Sequence, residues 1–237
     1  MNTDDLHSYL FAGAPEAFSE QMAGYLRDSR RFADFIRAAN SKVRKKLRAA
    51  KTPESVADLG LELETAYLLL RERALSVVYE PQLSGQPRRP DFAVTFTTHS
   101  TLMLEVTHLQ GQQTPAAALV TPERLAETVC GKLGQCSAQR SNVLLIGTPL
   151  PTPTPEVVQT ALEQLVRRAE RHDATLLKRS LLRDWGTFFQ HYQRLSEVLV
   201  CGLPRHPGIP PTVWLNPQAK RPLTRKVRAA LYRSQSA

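Results

Sequence analysis

Apolar residues recur at three- and four-residue intervals across residues 16–50, where Phe18, Met22, Tyr25, Phe32, Phe35, Ile36, Val43 and Leu47 predict helix with a break near Asp28-Ser29. Thr52-Pro53-Glu54-Ser55 then sets a capping residue, a proline and an acid at the start of a second helix running to about Arg73. Leu59, Leu63, Ala66, Tyr67 and Leu70 give that helix an apolar face, which Leu69 widens. The period then changes. Residues 74–79 read as a strand and residues 81–90 as a turn-rich connection. Residues 91–97 and 101–107 read as two strands joined through Thr98-His99-Ser100, so a meander or hairpin is expected. Thr121-Pro122-Glu123-Arg124 opens another helix, ending near Ser137, and residues 141–147 form a short, almost wholly apolar strand.

Prolines punctuate residues 149–155, after which Val157, Val158, Ala161, Leu162 and Leu165 mark a helix over 156–172. A helical region at 181–192, a strand at 198–201, an extended segment at 211–215 and a helical tail from Thr224 complete the reading. Helix, three strands, helix, strand is the order of an α/β layer architecture, with a central mixed sheet flanked by helices. Residues 1–54 read as a basic helical extension packed on a core formed by 55–237. No internal repeat is visible, and the proline-rich stretches are short enough to be loops within one compact unit.

A chain of 237 residues with 42% apolar content can bury about 70% of its unfolded surface without staples. The three cysteines, Cys130, Cys136 and Cys201, form neither a disulfide framework nor a close-spaced metal site, which points to a reducing, cytoplasmic setting. The acidic opening MNTDDLHSYL does not read as a secretory leader, and no apolar run approaches the roughly 20 residues of a membrane span, so no membrane partner is expected. The net charge of +9 is segregated. Residues 30–51 hold nine Lys or Arg and one Asp, and residues 218–237 hold six and no acid. Two basic surfaces of this kind suit a nucleic acid, although solvated helix faces share the composition.

Candidate chemistry concentrates in RRPDFAVTFTTHSTLMLEVTHL, where Asp91 and Glu105 lie on or beside successive strands with 13 residues between them. A turn that reverses the chain brings two such carboxylates to one end of the sheet, where a divalent cation supplies the counter-charge. Each residue also has an ordinary role open to it. Asp91 can close a turn and Glu105 can face solvent on an alternating strand. Glu80 can serve a turn, and His108 and Trp214 can be structural.

The stretch resembles the PD-(D/E)XK nuclease superfamily, the restriction-endonuclease-like fold. Pro90-Asp91 matches its PD and Glu105-Val106-Thr107 its second half, with Thr107 standing where that family carries its catalytic lysine. Lys132 in GKLGQC, with Gln135 beyond it, resembles a lysine displaced to the neighbouring helix. An acid on the preceding helix is also expected in such a family. Glu62 and Glu64 compete for that place, and the helical wheel favours Glu62, with Glu64 turned toward solvent. The resemblance spans roughly residues 55–147.

It implies a metal-dependent DNA endonuclease in which Glu62, Asp91, Glu105 and the Val106 carbonyl hold Mg2+ or Mn2+. Lys132 and Gln135 would assist at the phosphate. Arg88, Arg89, Lys42, Arg44, Lys45, Lys46, Lys220, Arg221, Arg225 and Lys226 are the expected nucleic-acid contacts. A noncatalytic nucleic-acid-binding protein with a degenerate nuclease fold is the alternative, since Thr107 lacks the lysine's charge. An interaction domain whose basic tail binds an acidic protein is a third reading. A homodimer and a protein partner both remain open.

Overall fold

The computed structural model describes residues 2–82, 89–109, 120–149, 151–206 and 208–236. Within them the chain opens with helix α1 (Thr3–Phe11), where Asn2 Oδ1 accepts from the Asp5 N–H at 2.8 Å and Asp4 and Asp5 face the positive end of the helix. The apolar periodicity of residues 16–50 does not extend back to this helix. Its buried Leu6, Leu10 and Phe11 fall on one stripe, but the segment is short. Helices α2 (Glu16–Asp28) and α3 (Arg30–Ala49) divide at Ser29, whose hydroxyl caps Phe32 at 3.1 Å. Helix α4 (Pro53–Arg71) starts at a capping box between Thr52 and Ser55. It is apolar nearly all round because it lies between the sheet and helices α3 and α9 (Arg225–Gln235).

Among the described residues six strands follow one another across the sheet in chain order: β1 (Leu75–Tyr79), β2 (Phe92–Phe96), β3 (Ser100–His108), β4 (Ser141–Pro149), β5 (Leu195–Leu203) and β6 (Thr212–Leu215). Strands β1 to β3 form an antiparallel meander, β3 to β5 run parallel, and β6 returns antiparallel on β5. The parallel steps are made by crossovers, one through α5 (Pro122–Leu133) and one through α6 (Pro155–Glu170), α7 (Ala174–Ser180) and α8 (Trp185–Tyr192).

Alternate residues of the central strands face opposite ways. Leu104, Val106, Val143 and Leu145 pack with helices α1 to α4 and the C-terminal α9 (Arg225–Gln235). Leu144, Ile146, Val198 and Val200 pack with α5, α6 and α8, and Trp214 closes that side against Tyr192. The N-terminal helices share the first of these cores with the sheet.

The helical region expected at 181–192 holds one helix, α8, which starts later, at Trp185, while α7 precedes it outside that region. Leu181, at φ +57°, ends α7 in a left-handed turn, and Asp184 then caps α8 by accepting from the Thr187 N–H at 2.7 Å. Among the described residues no helix is long and apolar enough to cross a membrane.

Candidate functional site

The ladder between β2 and β3 ends at Phe92 opposite Leu104, while β3 continues to His108. The N–H of Val106 therefore has no β2 carbonyl to meet, and Asp91, the residue before β2, supplies its own carboxylate instead: Oδ2 accepts from Val106 at 2.8 Å. This replacement holds Asp91 beside Glu105. On the other face of β3, the last turn of α5 carries Lys132, whose Nζ lies 2.7 Å from Glu105 Oε1. Just beyond the helix, the Gln135 side-chain amide faces the same carboxylate, and its nitrogen is assigned to the near end because an amide oxygen there would meet only acceptors.

Glu62, buried in α4, approaches from the first core. Lys46 Nζ contacts its two oxygens at 2.8 and 3.0 Å, and the Tyr79 hydroxyl donates to Oε2 at 2.6 Å. The same ammonium lies 3.2 Å from Glu80 Oε1 and 3.6 Å from Asp91 Oδ1. Glu80 leaves β1 at φ +42°, a costly conformation for a residue with a side chain. Lys42, one turn before Lys46 on α3, donates to the carbonyls of Tyr79 and Glu80 at 2.8 and 2.9 Å and ties down that exit.

Among the described residues, charge in this cluster is out of balance. Four carboxylates, Glu62, Glu80, Asp91 and Glu105, meet two ammonium groups, Lys46 and Lys132. Burial, then the charge of Asp91, pushes the carboxyls of Glu62 and Glu105 up to about 7, against the pull of Lys46 on one and Lys132 on the other. Burial also raises Asp91, opposed by Lys46 and the Val106 N–H. Burial works against the Lys46 ammonium too, but Glu62, Asp91 and Glu80 outweigh it and hold its pKa above the usual lysine range. The two ends of the Lys46–Glu62 pair differ because Lys46 faces anions while Glu62 also faces a second carboxylate. A proton taken up near neutral pH therefore resides on the carboxylates, and Lys46 stays charged.

Asp91 and Glu105 offer hard oxygen donors, the chemistry that Mg2+ or Mn2+ accepts, and the shortage of positive charge fits one divalent ion between them. Glu62 is committed to Lys46 and Tyr79. Among the described residues no three His, Cys, Asp or Glu side chains are already arranged to hold a metal ion, and the Lys46 ammonium stands between Glu62, Glu80 and Asp91.

Several expected positions differ. Glu64 does not face solvent: it accepts from Tyr25 at 3.1 Å and pairs with Arg205 at 3.6 Å, on another side of α4. Lys42 and Lys46 turn inward onto the protein, so they leave the basic surface that the sequence suggested. Arg44 lies over the Tyr9 ring at 4.2 Å and donates to its hydroxyl. Lys45, Arg89, Lys220, Arg221, Arg225 and Lys226 are exposed, and Arg88 lies outside the described residues. His108 is held by Asp58 at 2.8 Å, and its ring does not join Glu105. Thr107, His108, Arg124, Thr128, Lys132 and Arg179 line an open groove of about 370 Å3 next to Glu105. Lys46, expected on the nucleic-acid surface, and Glu80, expected at a turn, are the members of the cluster that the sequence placed elsewhere. Their available signal was a lysine on the buried stripe Phe35, Ala39, Val43 of α3.

No known protein family, curated protein or solved structure matches the chain.

Proposed function

We propose that the chain hydrolyses phosphodiester bonds of nucleic acid, with DNA as the substrate implied by its resemblance to PD-(D/E)XK nucleases. One observation carries the reading: Asp91 and Glu105 meet where β2 gives out, with the Lys132 ammonium 2.7 Å from Glu105. The succession α4, antiparallel β1 to β3, α5, then β4 parallel to β3 also supports it.

Asp91, Glu105 and the Val106 carbonyl would hold Mg2+ or Mn2+, which supplies a more acidic water and neutralises charge on the phosphate. The Val106 N–H fixes the orientation of Asp91, and Gln135 and Lys132 fix that of Glu105. Lys132, shared between the carboxylate and the open groove, donates toward the phosphate oxygen on which negative charge grows. Water attacks phosphorus, one P–O ester bond breaks, and the departing oxygen takes up a proton, with no covalent intermediate on the chain. Exposed Lys220 and Arg221, with Arg140 and His99, line a groove of about 350 Å3 at the opposite end of β3 and β4, and exposed Arg225 and Lys226 follow in the first turn of α9. That groove suits a phosphate backbone.

The test is cleavage of single-stranded, double-stranded and branched DNA in Mg2+, Mn2+ or EDTA. D91A, E105A and K132A should each lose on the order of 100-fold or more in rate. Cleavage that survives both acidic substitutions overturns the mechanism. Thr107 favours one second reading, noncatalytic binding, and salt-sensitive binding with no cleavage of any substrate would select it.

A further inference from the structure

Lys46 is a charged member of the cluster to which the chemistry above gives no task. Its Nζ is 2.8 and 3.0 Å from the two oxygens of Glu62, 3.2 Å from Glu80, 3.6 Å from Asp91 and 5.0 Å from the centre of the Tyr79 ring. Three carboxylates from separate segments and an aromatic face around one positive centre make the surroundings of a bound cation, here carried on the stem of a lysine. The fold sets its place. Lys42 fastens the same face of α3 to two carbonyls at the end of β1, and Ala39 and Val43 are buried beside them. Tyr79, which also donates to Glu62, is packed against Phe35 of α3 and against Phe92 of β2.

We propose that Lys46 is the permanent second cation of the cluster. It neutralises Glu62 and the near side of Asp91, so the chain takes up one divalent ion, at Asp91 and Glu105, and not two. The inference rests on the reading of Asp91 and Glu105 as metal ligands. Lys46 then acts as a positioning residue: it keeps Glu62 out of the metal's ligand set and fixes the side of Asp91 left for the ion. A divalent ion seated among Glu62, Glu80 and Asp91 would need the same oxygens as the ammonium, so the two exclude each other.

Mn2+ binding to the full chain, followed by the electron paramagnetic resonance signal of the free ion, tests this without substrate. The wild type should bind one Mn2+ per chain, K46M two, and K46R one, because the arginine restores the charge. K46M/E62Q should return to one, since the second position loses its main ligand. A merely structural lysine would leave the number of ions unchanged. Two ions in the wild type, or one in folded K46M, overturn the proposal. Should K46M be unfolded in EDTA, the ions are counted on the chain refolded in saturating Mn2+: two support the proposal, and one, or a chain that stays unfolded by circular dichroism, overturns it. No Mn2+ on the wild type at all would remove the ligand reading of Asp91 and Glu105 and this inference with it. One ion on both wild type and K46M removes the inference alone.

Discussion

Glu105 is the residue at which acidity and stability should be seen to trade. Its carboxyl and that of Glu62 hold protons up to about 7 in the folded chain, against a usual value near 4.5. Each therefore binds its proton more tightly folded than unfolded. The stability they contribute is full below about 4.5 and is lost as pH rises through about 7. Urea denaturation of the metal-free chain should accordingly show stability falling between those limits. E105Q, which has no proton to lose, should flatten the fall and be more stable than the wild type at pH 8, by on the order of 2 kcal/mol. A profile equally steep in both proteins would contradict the buried, crowded environment described for Glu105. Asp91, Glu105 and Lys132 were legible as a group from the sequence because two adjacent strands and the next helix bring them together by local connections. Lys46 was not, because it reaches Glu62 through the packing of α3 on α4 and its charge reads, in a row of basic residues, as part of a solvated face.

Among elements, α9 and α4 show how the sheet is made to hold its helices. Glu197 on β5 is 1% exposed and takes Arg228 Nε and the Tyr232 hydroxyl, each at 2.7 Å, so the C-terminal helix is fastened by a buried charge. R228M would leave that carboxylate without its cation and should cost about 3 kcal/mol in denaturant unfolding, whereas Y232F should cost about 1 kcal/mol. If the two losses were equal, the ion pair would not be the stronger fastening. Gly147 on β4 leaves room for a side chain of α4 and one of β5: an added Cβ would lie 2.6 Å from Leu203 Cδ1 and 2.7 Å from Leu61 Cδ2. G147A should cost about 1–3 kcal/mol, less if those two flexible side-chain ends give way. The strands and most helices followed from periodicity and caps. The short α7 and the start of α8 at Trp185 did not, because Leu181 keeps the apolar spacing of a helix while sitting exposed in a left-handed turn, and only Asp184 marks where α8 begins.

At the scale of the whole molecule, the two basic segments of the sequence have different fates. The C-terminal one remains on the surface, and replacing Lys220, Arg221, Arg225 and Lys226 by alanine should weaken DNA binding without regard to sequence. It should also flatten the plot of log affinity against log salt by roughly 3 to 4. An unchanged slope would place the phosphate backbone elsewhere. The N-terminal segment is divided: Lys45 stays exposed, while Lys42 and Lys46 are spent on β1 and the acidic cluster. The composition of residues 1–54 marks an appendage, yet Phe32, Ile36 and Val43 are buried in the same core as Leu104 and Val106 of the sheet. A fragment starting at residue 55 would thus be missing one wall of its interior and the ammonium beside Glu62, Glu80 and Asp91. Where the residue types change along the chain is not where the protein can be cut.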